Sequence, residues 1–108
     1  MKTNYRFGEV FSLNDQVDFA SDRIECQQIF ETGNGGVSIL AFKAGQKLDT
    51  HLAPFEVMVT VNEGEIDFTM LDETRRLKAG DFILMGANVP HSVNAVADSK
   101  VVLVKIKN

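Results

Sequence analysis

The chain has 108 residues, of which 44% are hydrophobic and 24% charged, as expected for one globular domain. Its formal net charge is −4 and its isoelectric point about 5.0, so it lacks the basic excess that nucleic-acid binding requires. No apolar run approaches the roughly 18 residues of a membrane span, and no signal-peptide core is present, which predicts a soluble cytoplasmic protein without a membrane partner. A single cysteine, Cys26, excludes an internal disulfide and favours a reducing compartment.

Residues 1–23 follow neither the helical nor the strand period, which predicts an extended arm with a turn near Asn14 and Asp15. The pattern then sharpens into a hairpin, in which RIECQQIFE (23–31) and VSILAF (37–42) are joined by the turn sequence TGNGG. Cys26 lies among apolar neighbours in the first strand, so we expect a buried, inert thiol.

Further strands are predicted where apolar residues alternate between turn signals. These segments are VMVTV (57–61), EIDFTML (65–71), FILM (82–85), SVNAVA (92–97) and VVLVKIK (101–107). Residues 72–81 are interpreted as a turn with a small basic cluster on a solvated face. Strands at a spacing of roughly 8 to 12 residues, without a capped helix, indicate an all-β sandwich or barrel.

The two histidines of the chain, His51 and His91, each follow a glycine-led turn. The segments around them resemble the two motifs of the cupin superfamily, G-x5-H-x-H-x3-4-E-x6-G and G-x5-P-x-G-x2-H-x3-N. Gly45, His51 and Gly64 match the first motif, and Gly80 and His91 match the second. The resemblance covers roughly residues 37–104 and implies an antiparallel jelly-roll barrel, with residues 1–108 forming one domain.

Several positions depart from these motifs. Ala53 stands at the second histidine, Val57 at the glutamate, Gly86 at the proline, Asn88 at the glycine and Ala95 at the final asparagine. Since the superfamily holds its metal with three histidines and the glutamate, half of the expected ligand set is absent. Two imidazoles alone make a weak site, which implies either no cofactor or a weakly bound divalent transition metal.

A neighbouring carboxylate could complete the metal site. Asp49 lies two residues before His51 and shares its face if the strand begins that early. Glu56 would turn inward if the irregular stretch around Pro54 shifted the register by one residue. The simpler interpretations are a turn or orienting residue for Asp49 and a solvated surface carboxylate for Glu56.

Two classes of function are compatible with these residues. The first is a cupin that binds a small molecule in a largely apolar pocket, and the second is a metal-dependent oxygenase or isomerase that uses His51, His91 and one carboxylate. We favour the first. The residues expected to line the pocket are His51, Ala53, Val57, Met58, Met70, Met85 and His91.

The N-terminal arm, residues 1–23, is rich in aromatic side chains that have no evident place in the barrel pattern. Small cupins commonly pair through N-terminal strands, so the resemblance implies a homodimer formed through this arm. The aromatic residues concerned are Tyr5, Phe7, Phe11 and Phe19.

Overall fold

The computed structural model describes residues 1–107, which form nine antiparallel strands and one short 3-10 helix, Leu13–Gln16. The strands are β1 (Glu25–Thr32), β2 (Gly35–Phe42), β3 (Lys47–His51), β4 (Glu56–Glu63), β5 (Glu65–Met70), β6 (Glu73–Lys78), β7 (Phe82–Met85), β8 (His91–Ala95) and β9 (Ser99–Ile106). Within residues 1–107, no helix has the length and apolar character needed to cross a membrane.

The strands form two antiparallel sheets packed face to face, as the jelly-roll prediction requires. The five-stranded sheet has the order β1-β2-β9-β4-β7, and the four-stranded sheet has the order β3-β8-β5-β6. Strand β9 pairs with both β2 and β4, so it is the central strand of the larger sheet. The predicted hairpin is confirmed, since Cys26 lies opposite Leu40 and Thr32 opposite Gly35.

The main core fills the space between the sheets because inward-facing residues alternate along each strand. On β4 these are Val57, Val59 and Val61, and on β5 they are Ile66 and Phe68, all at most 5% exposed. Gly64 makes the tight connection between these two strands at a φ of 85°. A Cβ there would lie 2.3 Å from the Asp98 carbonyl oxygen, so no larger residue fits without movement.

A second, smaller cluster lies on the outer face of the five-stranded sheet, beneath the N-terminal arm. Val17 from the arm is buried against Ile39, Ala41 and Val102, and Phe19 packs beside them. The turn predicted at Asn14 and Asp15 is the 3-10 helix. The arm therefore contributes to the core of this domain through its C-terminal part.

Two strands, β3 and β6, were not predicted from the apolar pattern. They are the two edge strands of the four-stranded sheet. Both are polar, with Leu77 the one buried residue of β6, so neither shows the alternation of a half-buried strand.

The prediction of a buried Cys26 is wrong, because β1 is the edge of the larger sheet and leaves this thiol exposed.

Candidate functional site

A cavity of about 140 Å³ lies between the two sheets, and both histidines contribute to its wall. Its lining is mainly aliphatic and aromatic, with side chains from both sheets. The lining residues are Leu40, Phe42, Leu48, His51, Ala53, Val57, Val59, Phe68, Met85, His91, Val93, Val101, Leu103 and Lys105. An enclosed apolar space with a few polar groups is the usual form of a small-molecule site.

His51 and His91 lie directly opposite each other on β3 and β8. Their ring centroids are 4.1 Å apart, with an angle of 56° between the planes. His91 is buried at 6% exposure and stacks on Phe68 at 5.7 Å, whereas His51 is exposed and marks the mouth of the cavity. The structure thus brings the two histidines to one wall, as their strand positions predict.

A β-bulge in β3 decides which side chains of that strand reach the cavity. Leu48 pairs with Val93 and His51 with His91, so β3 uses three steps where β8 uses two. Leu48 and His51 can therefore both line the cavity although they are three positions apart, a spacing that puts side chains on opposite faces of a regular strand. The expectation that Asp49 shares the face of His51 assumed a regular strand, and the bulge removes that parity. Asp49 does not line the cavity.

Backbone hydrogen bonds set the proton positions of both imidazoles. His51 Nδ1 lies 2.9 Å from the Asp49 carbonyl oxygen, and His91 Nδ1 lies 3.0 Å from the Val89 carbonyl oxygen. A carbonyl only accepts, so Nδ1 must carry the proton in each case. In the neutral ring, Nε2 is then a hydrogen-bond acceptor on both histidines.

His91 is held in its neutral form by its surroundings. Burial lowers its pKa from the usual 6.5, the hydrogen bond to the Val89 carbonyl opposes this shift, and the neighbouring His51 lowers the pKa further. Among residues 1–107 no buried side-chain nitrogen or oxygen lacks a partner. The Nε2 of His91, which has no hydrogen-bond partner within residues 1–107, is therefore not fully buried.

The donor set does not fit a resident metal ion. Ala53 and Val57, at the motif positions of the second histidine and the glutamate, line the cavity and bring no ligand atom. The described part of the chain holds no group of three His, Cys, Asp or Glu residues placed to bind one metal. Glu56 borders a groove on the outer face together with Met58, so the register shift that would turn it inward does not occur.

The loop before β8 has an asparagine at the glycine position of the second motif. Asn88 adopts a φ of 63°, in the left-handed region where the motif usually has glycine. Asparagine tolerates this conformation better than most residues. The Asn88 N–H donates to the Ala53 carbonyl oxygen at 2.7 Å, which fixes the residue at the cavity mouth.

Of the three methionines predicted at the pocket, only Met85 lines the cavity. Met58 faces the outer groove, since it alternates with the inward-facing Val57 and Val59. Met70 is partly buried beside the core but is absent from the cavity wall. Methionine is a weak indicator of a pocket-lining position, because the residue type does not show which face of a strand a side chain occupies.

Sequence reasoning missed Lys105. This residue lines the cavity, half-buried, on the same face of β9 as Val101 and Leu103. The alternation within VVLVKIK could have predicted this position, since residues two apart on a strand share a face. The basic residue was overlooked because it lies near the end of an otherwise apolar run.

Comparison with known proteins agrees with the fold. The family model described as Cupin domain matches residues 38–107. A conserved protein of unknown function from Streptococcus pyogenes shares 27% identity at a TM-score of 0.90, with 100% of this chain and 96% of that chain covered. An RmlC-like cupin from Desulfovibrio desulfuricans shares 29% identity at a TM-score of 0.81, covering 91% and 95%.

A cupin superfamily protein from Desulfitobacterium hafniense has a TM-score of 0.89 at 13% identity, covering 98% of this chain and 97% of its own, and shows the fold alone. No curated protein sequence matches. The matched segment contains both histidines and the strands that position them, and the chain belongs to the cupin superfamily.

Proposed function

We propose that this cupin binds a small, mainly apolar molecule that carries a hydrogen-bond donor, without a resident metal. The observation that supports this most strongly is the pair His51 and His91, whose rings lie 4.1 Å apart on the wall of an apolar cavity. In the neutral ring of each, Nε2 is the acceptor, because Nδ1 donates to a backbone carbonyl. A ligand hydroxyl or N–H satisfies this arrangement.

The size of the cavity limits the ligand. An engineered apolar cavity of about 150 Å³ in another protein holds benzene. The present cavity, at about 140 Å³, has comparable room. The apolar body of the ligand is therefore about the size of one six-membered ring or a short branched chain, and a larger ligand must extend out through the mouth beside His51.

The experiment is a titration with benzyl alcohol, followed by 1H-15N correlation spectra of the protein. We expect saturable shifts in the amides of residues around the cavity. Ala53→Leu places a larger side chain at the mouth and should weaken binding by at least about tenfold. Ala79→Leu makes the same change on an exposed turn residue outside the cavity wall and should leave affinity unchanged.

The homodimer remains a separate proposal, and its contact residues need revision. Tyr5 stacks edge-on to Phe11 at 5.0 Å and bonds to Gln16, so it is occupied within the arm. Phe7 and Val10 are 74% and 99% exposed, which makes them better candidates for an interface. Light scattering at micromolar concentration should give twice the chain mass, and Phe7→Ser with Val10→Ser should shift it towards the monomer. A monomeric wild type would contradict the proposal.

A further inference from the structure

We propose that the molecule bound in the cavity is an anion, a small monocarboxylate whose charged end is held by Lys105 and whose body bears the hydroxyl or N–H that faces the histidine pair. This inference rests on the proposed function, since it names the chemical class of the ligand for the same cavity. It depends on the position of one lysine, on the charges around it and on the contrast with a second lysine of the same strand.

Lys105 belongs to the cavity-facing side of β9. Its register partner on β4 is Val57, and both residues line the cavity. The histidine pair stands on β3 and β8, in the opposite sheet. The cavity thus has a cationic group on one sheet and two hydrogen-bond acceptors on the other, with apolar side chains between them.

The cavity wall contains no carboxylate. Lys105 is its one formally charged residue at neutral pH, among the residues that the structure describes. No Asp or Glu oxygen within residues 1–107 forms an ion pair with its ammonium, and the Phe55 ring lies 6.0 Å from Nζ. A cation beside an apolar space, with no carboxylate in the wall, is therefore left to attract an external anion.

Lys100, on the same strand, has a structural role and differs from Lys105 in its contacts. It is 8% exposed, its Nζ donates to the Asn14 carbonyl oxygen, and the Phe19 ring lies 5.1 Å away. These contacts tie the N-terminal arm to β9 on the outer face. Lys105 has the ring contact but no hydrogen bond from Nζ within the described chain, so its polar end is available for a ligand.

The occupant follows from these constraints. One ammonium matches one negative charge, and a charge-assisted bond between them is stronger at a half-buried rim than in bulk water. The apolar wall requires an uncharged body of about ring size. A monocarboxylate with such a body meets both conditions, whereas a polyanion would leave charges facing hydrocarbon.

The experiment compares benzoate with acetophenone, a neutral molecule of nearly the same shape that, like benzoate, has no hydrogen-bond donor, by titration at pH 8 and low salt. Wild type should bind benzoate at least about tenfold more tightly, the order expected for one charge-assisted hydrogen bond. Lys105→Met should remove this preference while binding of acetophenone stays within about twofold. Lys47→Met, which removes an exposed lysine outside the cavity wall, should keep the preference.

The outcomes separate the two proposals. If wild type binds acetophenone as tightly as benzoate, the anion proposal is overturned and the apolar site stands. If wild type binds neither probe at millimolar concentration and benzyl alcohol also fails, both proposals fall. A benzoate preference that survives in Lys105→Met excludes this lysine. Should that variant not fold, Lys105→Gln and Lys105→Arg provide the same test, and only the arginine variant should retain the preference.

Discussion

The two ends of this β-sandwich are built from the same strands but are packed differently. At one end, which we call the packed end, Val61, Ile66, Leu77 and Ala95 are at most 4% exposed, and none of them lines the cavity. At the other, the open end, the same strands β4 and β8 reach Val57 and His91, and a cavity of about 140 Å³ remains between the sheets.

The difference indicates that one end of the fold mainly provides stability and the other provides space for a ligand. The packed end holds the sheets together through close contact of aliphatic side chains. The open end has Ala53 and Val57 where the family motif has a histidine and a glutamate, so the space that metal ligands would fill is left apolar.

The largest effect is expected at the packed end. Ile66→Ala removes a fully buried side chain and should lower the free energy of unfolding by about 2–5 kcal/mol, from lost burial and the void left behind. Leu48→Ala, at the open end, should cost less, because Leu48 is only partly buried and already borders a cavity. Urea denaturation of both variants measures the difference. Equal losses would contradict the division into a packed and an open end.

The next effect comes from restoring the missing ligands. Ala53→His with Val57→Glu should destabilise the metal-free protein by several kcal/mol, since an unpaired carboxylate is then buried among apolar side chains. A divalent transition metal should restore that stability, because the assembled ligands exist only in the folded state. Thermal melts with and without added zinc measure both changes. Unchanged stability together with indifference to metal would mean that these positions do not face His51.

The fold could be predicted well from the sequence because apolar residues alternate along most of the strands. The predicted segments 57–61, 65–71 and 101–107 coincide with β4, β5 and β9 apart from the end residues Leu71 and Lys107, and the inward-facing side chains of these strands are mainly apolar. Strands β3 and β6 escaped detection because they are edge strands in which most side chains are exposed, with one apolar residue each, Leu48 and Leu77. Their places follow from pairing with neighbours, which a local pattern does not reveal.

The candidate site was predicted in part, for a similar reason. Motif spacing located His51, His91 and Ala53, since glycine turns and strand parity fix their directions. The position of Asp49 depended on a bulge, and a bulge is set by the register against β8 rather than by the residues of β3 alone. Lys105 required knowledge of which face of β9 looks inward, and that became clear only with both sheets in place.

A smaller effect is expected from the titration of His91. Burial lowers its folded-state pKa below the usual 6.5, so the unfolded chain binds the proton more readily. This residue therefore lowers stability as the pH falls below 6.5, with no such loss above it. His91→Gln should flatten the stability curve between pH 7.5 and 5.5 measured by urea denaturation. His51→Gln is the matched control at the exposed mouth and should leave most of the slope, since burial is the main cause of the shift.

The smallest effect is expected when a chelator is added to wild type. A metal present at 100 times its dissociation constant would add about 2.7 kcal/mol to stability, which a melting curve readily detects. Two imidazoles without a carboxylate fall short of the three protein ligands of catalytic zinc sites and the four of structural ones. We therefore expect EDTA to leave the Tm of wild type nearly unchanged and elemental analysis to find well under one metal per chain. The Ala53→His, Val57→Glu protein, loaded with zinc, serves as the positive control and should lose stability in the same buffer. A full equivalent of iron, zinc or nickel that survives dialysis of wild type would instead support a metal-dependent enzyme, with the remaining ligands supplied by water or by the bound molecule.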